Sequence, residues 1–480
     1  MTKQQLVAGV IAALAALPLA TLPAQVDRTK APASGRERQY QFPQATRSQL
    51  SNGLQIFVVE RPALPIITLG LIVPAGAESD PAGGGGLAQL AARLLTEGTK
   101  TRSAAQIAEG FEGLGGTITS SATWDAAFVQ ASVLSRNLEP AIGILADVVL
   151  NPAFPEREVE RLKNQRLAEL QQQRARPEGL ASEMFFRLAY DTTSPYARPS
   201  GGTPESVRSL TRERIAAFHT AAYRPNVATL FVVGAVRAAD VQRLAGRFFG
   251  PWTRGEVRAA RPVSRAGAQG GRIYLFDRPG AVQSALAVGG VAIARNDPDY
   301  IATQVLNTIL GGAFGSRINM NLREARGYTY GAFSNFFTPR MTGAFIAETA
   351  VRTPTTDSSV TELLKELRRM RAELVPAEEL DGARQNLIGR FPTDLLTNQS
   401  LATALANRII YSLPANYYDT YRDKVAAVDA ATTQALAGKY LDPGTFVWVV
   451  VGDAAQIEEP LKKLGGMPVD VYDVEGKKLR

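Results

Sequence analysis

The chain has 480 residues, more than one hydrophobic core ordinarily holds, so at least two domains are expected. Its 45% hydrophobic and 20% charged residues are those of a folded globular chain, and its net charge of +8 is scattered among acids without the basic stripe and interleaved aromatics of a nucleic-acid surface. There is no cysteine and one histidine, His219, which excludes disulfides, thiolate catalysis, cysteine metal sites and any zinc site needing two histidines from this chain.

Residues 1–24 read as a secretory signal peptide: Lys3, an apolar run from about Leu6 to Leu19, then small residues with Ala20 and Ala24 as cleavage points. A periplasmic or otherwise exported protein is expected, with no membrane span once the signal is removed. Strands follow at Leu54–Glu60 and Pro65–Pro74, then the glycine run Gly83–Gly86, read as a hinge into a helix over Leu87–Thr96. Glu156–Arg176 reads as a long helix and Thr229–Val236 as a late strand. The plan then repeats, with strands at Ile273–Asp277 and Thr445–Gly452 and a helix at Ser358–Leu374. "NGLQIFVVERP" and "GGRIYLFDRP" end at Pro62 and Pro279, while "YRPNVATLFVVGAV" and "LDPGTFVWVVVGDA" begin at Tyr223 and Leu441. Offsets of 217 and 218 residues between such distant segments imply a duplicated domain. The expected architecture is α+β, two similar domains at 40–253 and 272–480, each a mostly antiparallel sheet packed with helices. Polar, aperiodic residues 254–271 are the expected linker.

On the first of these helices Leu87, Leu90, Ala91, Leu94 and Leu95 form a core stripe, and Gln89, Ala92, Arg93 and Thr96 take the opposite face. The i, i+3, i+4 spacing of Gln89, Ala92 and Arg93 is that of a His-x-x-Glu-His zinc site. The frame from Gly86 to Arg93, closing on "EGT", resembles the inverzincin helix of the pitrilysin, insulinase and mitochondrial processing peptidase family. So do "SPYARPSGGTPESVRSLT" and "NTILGGAFGSRINMNLREARGYTYGAF", and the resemblance covers nearly the whole mature chain. It implies that two histidine ligands and a water-activating glutamate have been replaced by Gln89, Ala92 and Arg93, while Glu169 in "RLAELQQQ" keeps the position of the third ligand. An Arg93–Glu169 salt bridge would satisfy both groups without metal.

The resemblance assigns a second role to "NLREARGYTYG". Arg323 and Tyr330 match the Arg–Tyr pair that, in the family, faces the zinc helix across a chamber and holds the substrate. Arg326 and Tyr328 offer a second register. A guanidinium and a phenol aimed at a developing oxyanion would stabilise it. The resemblance therefore implies a non-zinc subunit of a heterodimeric zinc peptidase acting on peptides or unfolded segments. This chain, half of a clamshell, would be inactive alone and hold no cofactor. Zinc would belong to a homologous partner. The alternative is an inactive, peptidase-like binding or scaffold protein. His219 is read as a packed or surface side chain and not a catalytic one, Tyr417–Tyr421 as helix packing, and the glycine-rich Leu310–Arg317 as a turn, since it lacks the Gly-Lys-Ser/Thr ending of a phosphate loop.

Overall fold

β-branched and aromatic residues concentrate in twelve strands, and these build two six-stranded sheets with the same plan. The computed structural model describes residues 40–257 and 270–480; the expected signal peptide and residues 258–269 of the expected linker lie outside them. The first sheet contains β1 (Thr46–Gln49), β2 (Gln55–Glu60), β3 (Ile66–Val73), β4 (Thr117–Ala122), β5 (Ala127–Leu134) and β6 (Thr229–Gly234), in the order β1-β2-β6-β3-β5-β4. The second contains β7 (Arg272–Asp277), β8 (Gln283–Val291), β9 (Thr329–Phe337), β10 (Ala344–Arg352), β11 (Val447–Gly452) and β12 (Val469–Tyr472), in the order β12-β7-β11-β8-β10-β9.

The duplicated segments hold the same station in each sheet. β2 pairs parallel with β6, Gln55 opposite Thr229, and β7 pairs parallel with β11, Arg272 opposite Val447. Both sheets are mixed, with antiparallel pairs in the majority; β12 adds a second parallel pair where the first sheet has the antiparallel β1. The edge strands are β1 and β4 in the first sheet, β12 and β9 in the second, with β12 bonded on its outer side to the C-terminal residues Lys478–Arg480.

Each sheet buries both faces, and the two faces are covered differently. In the first sheet Ile56, Val58, Leu69, Leu71 and Val232 pack with helices of the same half, including α1 (Leu87–Leu94). The long helix α2 (Glu156–Ala175) then leads, with Pro177 setting the first turn, into α3 (Pro177–Ala189). This helix does not cover its own sheet. Its Leu180, Met184 and Phe185, each at most 1% exposed, lie on Tyr274, Phe276, Ala285, Val449 and Val451 of the second sheet. Full burial of such side chains stabilises by about 1.5–3 kcal/mol each.

The second half reciprocates. Helix α4 (Asn398–Ile410), started by a Thr397–Ser400 capping box, packs on β3 and β6 of the first sheet. Phe231 and Val233 of β6 are fully buried. Asn398 Nδ2 donates to the Ile66 carbonyl at 3.0 Å, and Arg61 Nη1 donates to Asn398 Oδ1 at 3.1 Å. The sequence reading of sheets packed with helices does not say which helix covers which sheet. An amphipathic helix records that it has an apolar face, not which sheet receives it.

A polar cluster fastens the halves beside this exchange. Asp125, 3% exposed, accepts hydrogen bonds from Tyr196 Oη and the Arg340 amide on Oδ1 and from Tyr411 Oη on Oδ2, all at 3.1 Å. The Arg340 guanidinium pairs with buried Glu78, and Trp124 sits edge-on to Tyr196 and Phe337. His219 packs between Phe154 and Tyr223 with Nε2 2.9 Å from the Val149 carbonyl; burial pushes its pKa down to about 4. Tyr418 and Tyr421 stack on Phe391, and Tyr417 meets Tyr418 edge-on and Tyr421 at a tilt, as helix-packing residues do.

Candidate functional site

Helix α1 starts from a glycine-built platform. Gly86 has φ +89° and Gly202 has φ +79°, and their strands of backbone touch: a Cβ on Gly202 would lie 2.3 Å from the Gly85 carbonyl oxygen, one on Gly86 2.8 Å from that of Gly201. The run expected to be a hinge is thus a close backbone contact that seats the helix. Asp80 completes the seat. Its Oδ2 accepts from the Gly86 amide and its Oδ1 from the Ala88 amide, both at 2.8 Å, satisfying free N–H groups of the first turn. Burial pushes Asp80 up to about 7 against the lowering effect of those two bonds. Neither Asp80 nor the platform is signalled by spacing along the chain, because Asp80 lies outside the local capping window.

The core stripe of α1 is buried as expected, Leu87, Leu90, Ala91, Leu94 and Leu95 all being at most 5% exposed. Ala92 was expected on the opposite, presenting face; the structure places it at 0% exposure. Its methyl is too short to emerge beside β4, where Ser120 Oγ donates to the Ala92 carbonyl at 2.6 Å. Gln89 and Arg93 remain half-buried. Gln89 Nε2 reaches Ser200 Oγ at 3.3 Å.

Glu169 of α2 stands opposite Arg93. Arg93 Nη1 lies 3.3 and 3.4 Å from its two oxygens, so the expected ion pair is present. Arg166 Nη1 adds a contact at 3.2 Å and Gln165 Nε2 one at 3.1 Å. Burial alone would raise the Glu169 carboxyl, but the hydrogen bond from Arg166 and the charges of Arg93 and Arg166 outweigh it and hold the group below its usual range. A zinc ion does not fit this residue set: an amide, a methyl and a guanidinium occupy the three helical positions, and the one carboxylate is already bonded. Among the described residues no group of three or more His, Cys, Asp or Glu is placed to hold a metal.

The second constellation lies at the free edge of the other sheet. Two short segments, Thr308–Gly312 and Met320–Ala325, wind with wide i→i+5 turns, the Arg326 amide reaching the Asn321 carbonyl at 3.0 Å. Arg317 clamps Glu379 with two bonds of 2.7 and 2.6 Å. Asn319 ties the turn to β9, donating to Phe314 O at 2.7 Å and accepting from the Ala332 amide at 3.1 Å. The glycines expected to form a simple turn also pack: a Cβ on Gly311 would lie 2.3 Å from Ser334 Oγ. On this frame Arg323 lies with its guanidinium 4.7 Å from the Phe314 ring centre and 3.2 Å from Glu324.

Tyr330 is 90% exposed on β9, beside an irregularity in the β9–β10 register between Thr349 and Val351. The alternative register is otherwise engaged. Arg326 pairs with Glu362 at 2.7 Å, and Tyr328 is half-buried with its amide bonded to Leu322 O. Among the described residues Arg326 is the one of the four whose side chain pairs with an acid on a distant helix.

Known proteins agree with this architecture. Residues 56–199 match the model of the insulinase family, peptidase family M16, and residues 209–387 match that of the peptidase M16 inactive domain. A protein of Rickettsia bellii described as an uncharacterized zinc protease is 29% identical over 343 residues, 71% of this chain and 81% of that protein. The crystal structure of a peptidase M16 inactive domain from Pseudomonas fluorescens superposes with a TM-score of 0.80 at 29% identity, covering 85% of this chain and 98% of the other. A Helicobacter pylori protease shares the fold at a TM-score of 0.80 and 20% identity, over 86% and 100% of the two chains. The fold defines a peptidase-like α+β protein of two similar halves. The chain belongs to the M16, or insulinase, peptidase family.

Proposed function

We propose that the chain is the metal-free subunit of a two-chain zinc peptidase and supplies Arg323 and Tyr330 to a site completed by a homologous, zinc-bearing partner. The observation that carries this reading is an asymmetry between the two halves. On helix α1 the positions in question are paired off, Arg93 with Glu169, whereas Tyr330 stands exposed and Arg323 half-buried, without an acid from a distant element, on an edge that is braced by Arg317, Asn319 and Asn321. A guanidinium and a phenol so held would bind a peptide carbonyl and favour negative charge on its oxygen. Peptides or unfolded segments entering a clamshell formed by both chains are the proposed substrates, and an exported location is proposed from the apolar run between Leu6 and Leu19.

A tagged mature chain purified from its native extract tests the proposal. The expected eluate contains a second chain of similar size with an intact zinc motif and cleaves peptides until a zinc chelator is added. Arg323→Ala should lower cleavage by the complex about 10²- to 10³-fold, the usual cost of removing an oxyanion donor, without preventing assembly. Full activity in that variant refutes the assignment. A lone chain without cleavage would support the second reading, a binding or scaffold protein, which the pairing of Arg93 with Glu169 also favours.

A further inference from the structure

The cluster around Arg93 has binding capacity of its own. At the α1–α2 contact two guanidiniums, Arg93 and Arg166, meet one carboxylate, Glu169. Glu169 is already engaged by Arg93, Arg166 and Gln165, so the cluster keeps one positive charge that no acid in it balances. Arg166 is committed: its Nε donates to Gly201 O at 3.0 Å and its guanidinium lies flat against the Cα of Gly201, where a Cβ would meet Nη2 at 2.1 Å. Arg93 is not. Only its Nη1 is bonded among the described residues, its side chain is 30% exposed, and the Nε–Nη2 edge remains as a fork of two parallel donors. That fork matches a carboxylate. Gln89, one turn earlier on the same face, turns its amide to Ser200 Oγ at 3.3 Å.

The neighbouring backbone says how such a group would arrive. β4 is a free sheet edge, its exposed positions carry only Thr117, Thr119 and Ser121, and Ser120 bonds directly to α1 at Ala92. An extended peptide added to β4 would run past the Gln89–Arg93 face. We infer that the Gln89–Arg93 face is a carboxylate-binding site, in which the edge of Arg93 that Glu169 does not occupy holds the C-terminal carboxylate of a peptide lying along β4. The site would thus take up the terminus of a cleaved or short peptide instead of cutting one. This rests on the chain's own residues and stands whether or not a zinc-bearing partner exists.

Fluorescence anisotropy on the full mature chain alone tests it, with three labelled peptides: one with a free C-terminus, the same peptide as its C-terminal amide, and that amide with a glutamate at the last position. The free acid should bind at least about tenfold more tightly than the amide, the usual advantage of a charge-assisted pair. Arg93→Gln should abolish the difference while Glu169 stays paired with Arg166, and Arg93→Lys should keep part of it. Glu169→Gln should tighten acid binding by removing the competing carboxylate. Equal affinity for acid and amide, or an undiminished preference in Arg93→Gln, overturns the site. A glutamyl amide binding as well as the acid overturns recognition of the terminus. The measurement contains no partner and no metal, so its failure leaves the two-chain proposal to its own test.

Discussion

Replacing Asp125 with alanine is the sharpest probe of how the halves are held together. The substitution leaves three donors without an acceptor: Tyr196 Oη, Tyr411 Oη and the Arg340 amide. A buried donor left unpaired costs about 1–3 kcal/mol. Tyr196 is 0% exposed and meets that cost in full, whereas Tyr411 and Arg340 are half-buried and recover part of it from water. Because the three share one partner their losses do not add, and a total of about 3–4 kcal/mol is expected. Asp125→Asn keeps one carbonyl oxygen and turns an amide toward Tyr411, whose hydroxyl can reverse and accept, so about 1 kcal/mol is expected. Urea denaturation followed by tryptophan fluorescence measures both, with Trp124 beside the substituted residue. A loss below about 1 kcal/mol in Asp125→Ala, or equal losses in the two variants, would refute the view that this carboxylate ties the halves.

Three further outcomes are expected. Asp80 has a folded-state value raised from 3.8 to about 7, so its contribution is complete below 3.8 and is lost as pH rises through 7; Asp80→Asn should flatten the fall in Tm between pH 4 and pH 8, and an unchanged profile would sink the assignment. Gly201→Ala puts a methyl into the Arg166 guanidinium and should destabilise by about 1–3 kcal/mol, read as a lowered urea midpoint at unchanged slope. The double variant Q89H/R93H restores two helical histidines opposite Glu169. It should gain zinc binding by isothermal titration calorimetry, and adding Glu169→Gln should remove it.

Local pattern was legible where one segment held the information. The leucine stripe of α1, the long helix α2 and the strands flanking Pro62 and Pro279 all follow from period and repeat, and the structure shifts their bounds by only a residue or two. The Arg93–Glu169 pair was readable because a known frame fixed both positions. What escaped involves partners remote in the chain. Asp80 reaches past the usual capping distance, and Asp125 draws donors from residues 196, 340 and 411. Ala92 was misplaced because a helical wheel gives direction but not depth. A short side chain next to an edge strand stays covered even when it points outward.

The crossing of α3 and α4 bears on how a duplicated chain could have arisen. One repeat on its own would fold with one sheet face bare and with a greasy helix that has nowhere to lie. Two copies solve both problems together, each placing its helix on the other's bare face, which is the geometry of a swapped pair. Joining the copies in one polypeptide turns a concentration-dependent embrace into a permanent one. Neither half of the gene could afterwards be discarded without undoing the other, so a repeat that had lost its chemistry would still be retained as the other half's missing wall.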